Sequence, residues 1–238
     1  LKEKGNDSVR ETIKEMFKFG SIIQLSTLVS MLNRRLSFLI IKDFWGNAQV
    51  GVYNAASQVS ESPKMIGQSI AMVQFSRISN LRDNDTAARL TLQLLKIAMV
   101  LTAVCIFIVC IVPTSVYSWL FTKDFAEMRV VMIALAPGVV FMAANMVLCH
   151  YFSGVNMPKH NLFGALVGLA VTVPSLYLLI PSFGMVGAGI SASLTHLATI
   201  IYQWIVFKRI NKTSNKELLI TKEDMMMLKE AVYGIFKR

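Results

Sequence analysis

The strongest constraint on this chain is a succession of six apolar blocks, each roughly 19–27 residues long. They run 19–41, 50–76, 94–120, 130–152, 162–180 and 185–207. A helix rises ~1.5 Å per residue, so each block can cross a hydrocarbon core of ~30 Å. The expected fold is an all-α integral membrane protein, a six-transmembrane-helix bundle. Composition agrees: 54% of the 238 residues are hydrophobic and 16% are charged, where soluble domains carry about a quarter. The excess of 24 Lys and Arg over 14 Asp and Glu does not read as nucleic-acid binding, which needs a basic surface on a soluble body. Cys105, Cys110 and Cys149 all lie inside apolar blocks, so they read as buried structural thiols rather than a disulfide framework or metal site. The chain opens on Leu1 without a signal-peptide pattern and is expected to be part of something longer.

Short connections separate the blocks. Asn47 helps to turn the first, residues 77–89 form the second and 122–127 the third; Pro158 breaks the fourth, and Pro181 with Gly184 the fifth. The expected domains are a cytoplasmic flank (1–18), the transmembrane lobe (19–209) and an amphipathic cytoplasmic tail (210–238), whose N-cap would be Thr221. If the six helices alternate, about 18 Lys and Arg fall on one side and about 3 on the other. The basic side is cytoplasmic by the positive-inside rule, which puts both ends of this chain there. Trp45, Tyr117 and Trp119 would mark the outer interface, and Tyr202 and Trp204 the inner one.

Against that background Arg34 and Arg35 stand out. Arg34 lies about 22 Å along the first block from its cytoplasmic start. A charge at such depth costs at least ~2.5–3.5 kcal/mol unless it faces protein or water. Ser26, Ser30, Asn33 and Ser37 form a polar stripe at helical spacing, with Arg34 beside it and Arg35 pointing nearly opposite. The second block carries another stripe: Asn54, Ser57, Gln58, Glu61, Lys64 and Gln68. Such a face must meet a bundle interior or a water-filled cavity. One reading pairs Arg34 with Glu61, leaves Lys64 to snorkel and gives the network a purely structural role. The other has these groups line a substrate cavity. Arg34, Arg35 and Lys64 against Glu61 leave an excess of about two positive charges, which favours an anionic ligand. Guanidinium groups suit phosphate, so a phosphorylated lipid head is the expected chemistry.

Several segments resemble a known family. "KDFWGNAQVGVYNAASQV" (42–59) is similar to the seventh and eighth helices of bacterial polysaccharide flippases. "SGVNMPKHNLFGALVG" (153–168) and "YLLIPSFGMVGAGISASLTHL" (177–197) resemble their tenth to twelfth helices. Ile180, Pro181, Gly184, Gly187 and Ala188 fit the family's Gly-rich turn between the last two helices. The likeness covers about residues 15–210. These flippases belong to the multidrug/oligosaccharidyl-lipid/polysaccharide exporter superfamily, whose members have twelve or more helices in two lobes. The resemblance implies that this chain is the C-terminal lobe, its partner lobe preceding Leu1. It implies transport without covalent chemistry: a polyprenyl-diphosphate-linked oligosaccharide crosses the bacterial cytoplasmic (inner) membrane by alternating access, for capsule or lipopolysaccharide assembly. Arg34, Arg35 and Lys64 would attract the diphosphate; Asn33, Asn54, Gln58, Glu61 and Gln68 complete the candidate site. Expected partners are the lipid-linked oligosaccharide, membrane lipids, the N-terminal lobe of the same polypeptide and polysaccharide polymerase machinery; no cofactor, metal or nucleic acid is implied. Many relatives carry an acidic residue in the first of these helices. None lies between Phe19 and Ile41, so no ion-coupling site is carried over.

Competing functions ask for other residues. A multidrug cation antiporter wants carboxylates in its cavity, and Glu61 is the only intramembrane one. A membrane glycosyl- or acyltransferase wants paired carboxylates or a His base on longer loops. A non-transporting scaffold in polymer assembly is the remaining alternative. His196 is expected to make an interhelical hydrogen bond rather than couple protons, and His150 to lie near a cytoplasmic helix end. Pro63, Pro113, Pro137 and Pro174 are candidate kinks.

Overall fold

The computed structural model describes residues 6–81, 83–121, 127–213 and 217. Its long elements are all helices: α1 (Asn6–Trp45), α2 (Asn47–Glu61), α3 (Lys64–Asn80), α4 (Asn84–Ile111), α5 (Thr114–Phe121), α6 (Met128–Gly154) and α7 (Lys159–Asn211). By length and apolarity, α4, α6 and α7 can each cross a membrane, and the 53 residues of α7 fold back on themselves at Gly184. Helix α1 is long but carries more charge. The segment from residue 6 to 18 and the first apolar block form one continuous helix, with no break at 18. Of the C-terminal tail expected over 210–238, residues 210 and 211 still belong to α7 and 212, 213 and 217 are described; the rest, with its Thr221 cap, lies outside the described residues.

Helix α6 is the hub and packs against α2, α3, α4, α5 and α7, while α1 lies on α7 and α2. Two apolar clusters fill the bundle. One gathers Ile41, Tyr53, Met132, Leu176 and Ile180; the other gathers Leu95, Leu148, Tyr151, Phe152 and Phe207. Close packing relies on small residues, as membrane helices require where backbones touch. A Cβ at Gly67 would meet Ala143 at 3.0 Å, and one at Gly138 would meet Ser193 at 2.8 Å. The arms of α7 are zipped by hydroxyls, Thr172 to Thr195 (2.7 Å) and Ser175 to Ser191 (2.5 Å).

The breaks depart from the sequence reading in instructive ways. The second block is two helices, because Pro63 lacks an N–H: α2 ends at Glu61, Ser62 and Pro63 form the break, and α3 begins at Lys64. The first turn is made by Gly46, at φ 83°, and Asn47 already begins α2. The expected loop 77–89 shrinks to residues 81–83, with α4 capped by Asp83. Pro113 ends α4 early and separates it from α5. It also leaves the Val109 carbonyl without its helical donor; the Tyr117 hydroxyl takes that carbonyl at 2.7 Å. The Tyr117 side chain is buried. At the fifth connection Pro181 stays helical and Gly184, at φ 56°, makes the reversal.

These turns sort to two ends. The Trp45 indole donates to the Ile180 carbonyl at 3.0 Å, and its ring lies 3.4 Å from where a Gly184 Cβ would sit. The Gly46 and Gly184 turns thus share one end. At the other, Tyr151 donates to the Asn211 side chain (2.9 Å), and Gly154 abuts Ile78. Arg77, Lys159, Lys208 and Arg209 gather at that second end.

Candidate functional site: a basic groove between α1 and α2

Helix periodicity places Arg34 and Arg35 on the side of α1 that meets α2 and the start of α3. There, Arg34, Arg35, Asn54, Gln58, Glu61 and Lys64 line one groove of about 500 Å³, floored by Met31, Phe38 and Met65. Arg35 was expected to point away from the polar face. It lines this groove, while the Ser26–Ser37 stripe opens onto a different cavity behind α1. Asn33 and Gln68 are not brought to the groove: Asn33 faces the bundle interior, and Gln68 is exposed on α3 beyond the Pro63 break.

The ion pairs are unequal. Lys64 Nζ lies 2.6 Å from Glu61 Oε2, and Arg34 Nη1 lies 3.7 Å from the same oxygen. The first is a charge-assisted hydrogen bond between residues one turn apart; the second exceeds hydrogen-bond length. Glu61 has its counter-ion in Lys64, so Arg34 is not needed to neutralise it. The Arg34 side chain is 56% exposed, against 18% for Glu61. Arg35, Asn54 and Gln58 are likewise exposed. The groove therefore offers two guanidinium groups and two amides, with one carboxylate already engaged.

Behind α1 lies a second cavity, about 240 Å³, between α1, α2, α6 and α7, which Arg34 and Glu61 also line. The stripe Ser26, Ser30, Asn33, Ser37 opens onto it. Asn33 donates to the Ala165 carbonyl (3.3 Å), Asn161 to the Cys149 carbonyl (2.9 Å), and Gln203 to Cys149 Sγ (3.1 Å). The three amide oxygens, Asn33 Oδ1, Asn161 Oδ1 and Gln203 Oε1, are buried with no partner among the described residues. Such a chamber suits hydrogen-bond donors, ordered water first among them. Asn161 and Gln203 escaped the sequence reading; Gln203 is a single amide in an apolar run and Asn161 follows Lys159 and His160 at the start of one, and a stripe search passes over isolated residues. His196 also lines this chamber. Its expected interhelical hydrogen bond is absent among the described residues; its neighbours form such bonds instead. Ser193 donates to the Ala134 carbonyl (2.7 Å) and accepts from Gly138 N–H (3.0 Å), bridging α6 beside Pro137. Cys105, Cys110 and Cys149 are half-buried rather than fully enclosed.

The fold has solved counterparts. It aligns with a MOP superfamily transporter from Pyrococcus furiosus at a TM-score of 0.68 and 16% identity, covering 90% of this chain and 50% of that one. The fold thus matches about half of that transporter's chain and is that of a multi-pass membrane protein, with α4, α6 and α7 long and apolar enough to cross a membrane. More particularly, the profile of the polysaccharide biosynthesis protein family matches residues 7–130, and the chain belongs to that family. Among similar proteins, the capsular polysaccharide biosynthesis protein CapF of Staphylococcus aureus is 20% identical over 200 residues, covering 83% of this chain and 50% of CapF. A Shigella flexneri protein named as an O-antigen transporter is 25% identical over 209 residues, covering 82% of this chain and 47% of its own length. The chain spans about half the length of the curated relatives it matches.

Proposed function

We propose that this chain is one lobe of a flippase for an oligosaccharide carried on polyprenyl diphosphate, moved from the inner to the outer leaflet of the bacterial cytoplasmic membrane. The observation that carries the reading is the groove between α1 and α2. It holds Arg34, Arg35 and Lys64 against Glu61 alone, on a face that the described helices leave open. A fork of guanidinium donors matches a diphosphate, and Asn54 and Gln58 add hydrogen-bonding groups for sugar hydroxyls or phosphate. The second lobe would close over this face, and rocking of the two lobes would expose the groove to each leaflet in turn. No bond is broken in such a cycle. Names of the relatives, one for capsule synthesis and one for O-antigen transport, support the direction of this reading. A multidrug cation antiporter fits less well, because the groove's one carboxylate is held by Lys64 at 2.6 Å.

The test is Arg34→Gln in the full-length protein, with membrane abundance and polymer export both measured. Losing a charge-assisted hydrogen bond of ~1.5–3 kcal/mol lowers export about tenfold or more, at normal abundance. Arg34→Lys recovers part of it, since an ammonium lacks the bidentate fork. A purely structural Arg34 would instead lower abundance, with Glu61→Gln restoring it in the double variant. Full export at normal abundance removes Arg34 from the site.

A further inference from the structure

Glu61 is an odd residue to find in a groove that suits anions. Its carboxylate stands among the cations assigned to the diphosphate. Oε2 lies 2.6 Å from Lys64 Nζ and 3.7 Å from Arg34 Nη1, and Arg35 lines the same groove. An anionic oxygen that takes a charge-assisted hydrogen bond of ~2.8 Å from Lys64 is therefore held within about 5.5 Å of that carboxylate oxygen. The Glu61 side chain is 18% exposed, so solvent screens such an approach less than it would on an open surface. Holding Lys64 in place does not require a carboxylate, because a glutamine carbonyl accepts the same ammonium proton. What Glu61 adds is its charge. With it, Arg34, Arg35, Lys64 and Glu61 sum to two positive charges; without it they sum to three. A diphosphate esterified at both ends, to a polyprenol and to a sugar, carries two negative charges. The same carrier without its sugar ends in a phosphate monoester, whose second ionisation near pH 6 takes the total towards three. The sugar-linked lipid matches the groove. The bare carrier brings an extra charge that must sit beside a carboxylate, and such repulsion is how binding sites reject a near-identical ligand.

We propose that Glu61 is a specificity-determining residue: it keeps the sugar-free carrier diphosphate out of the groove and admits the sugar-linked diester. The proposal rests on the flippase reading of that groove and adds to it what the groove refuses. Both lipids share a prenyl chain and a diphosphate, so affinity for those parts alone cannot tell them apart. The number of charges on the last phosphate can, and Glu61 is the groove residue that responds to it with repulsion.

The experiment titrates the full-length protein in detergent by calorimetry at about pH 8, above the second ionisation of the monoester. Three short-chain probes are used: farnesyl diphosphate, its glucosyl diester and its methyl diester. The glucosyl diester binds about tenfold more tightly than farnesyl diphosphate, the size of one like-charge contact in a partly screened site. Glu61→Gln narrows that preference to about twofold, chiefly by tightening farnesyl diphosphate, and Glu61→Asp keeps part of it. The methyl diester has two charges and no sugar; it binds the unsubstituted protein within about threefold of the glucosyl diester. That arm needs no variant, so the test survives a Glu61→Gln protein that fails to fold. Equal binding of farnesyl diphosphate and the glucosyl diester by the unsubstituted protein overturns the proposal. So does a preference unchanged in Glu61→Gln, an equal loss of both ligands there, or a methyl diester as weak as farnesyl diphosphate. A glucosyl diester that does not bind, or binds regardless of Arg34→Gln, removes the flippase reading itself and this proposal with it.

Discussion

Asp83 shows how much a single exposed side chain sets at the residue scale. It lies in the three-residue connection before α4, and its carboxylate accepts from Asp85 N–H (3.2 Å), Thr86 N–H (3.1 Å) and the Thr86 hydroxyl. Those bonds, the Thr86 hydroxyl foremost, hold its pKa below the ordinary carboxylate range. A depressed folded-state pKa contributes stability above the unfolded value, near 4. That contribution is lost as pH falls from there through the lower folded value. Protection of the Asp85 and Thr86 amides against exchange, relative to their intrinsic rates, should therefore fall below about pH 4 in the native protein. Asp83→Asn should keep an N-cap while flattening that pH response; Asp83→Ala should fray the first turn at every pH. A pH response unchanged in Asp83→Asn would assign it to another group. Arg34 makes the complementary point. Its sequence position left a structural pair with Glu61 and a ligand site as competing readings, and only the 2.6 Å Lys64–Glu61 contact showed that Glu61 has another partner.

Helix α7 carries the argument at the scale of elements. Its two arms run back to back from Gly184, whose positive φ a side chain would strain. Three residues on, Gly187 sits so close to the Leu179 carbonyl that a Cβ there could not be accommodated without moving backbone. Gly187→Ala should destabilise by about 1–3 kcal/mol, the usual cost of overpacking, read as a lower unfolding temperature in detergent. Gly51 is the control. A Cβ there meets nothing within 4 Å, so Gly51→Ala should be neutral or gain up to about 1 kcal/mol from helix propensity. Equal behaviour of the two would mean that the arms are not packed as tightly as described. The Gly-rich turn was legible in the sequence as a motif. The sequence paired Pro181 with Gly184 as the turn, and only the structure shows that Gly184 alone leaves the helical region while Gly187 packs.

For the whole molecule, the proposed orientation puts the Gly46 and Gly184 turns outside and the Arg77, Lys159 and Lys208 end in the cytoplasm. Reporter fusions after Lys42 and Phe183 in the full-length protein should report the external side, and a cytoplasmic signal at either reverses the assignment. Residues 1–238 expressed alone should not flip lipid-linked sugar, because the basic groove lacks the surface that would close it; robust flipping by the fragment would point to a homodimer. The sequence by itself determined the membrane-protein class, the long helices and the two polar stripes. Those properties are local and periodic: a run of apolar residues, or a recurrence at three and four positions, needs no partner to be read. Tertiary structure alone decided how each helix is rotated against its neighbours. That rotation turned the Ser26–Ser37 stripe toward α7, Arg35 into the groove and Gln68 away from it. It also brought Asn33 around one chamber with Asn161 and Gln203, both more than a hundred residues further along the chain. Periodicity fixes an angle about a helix's own axis, and only packing fixes what that angle faces.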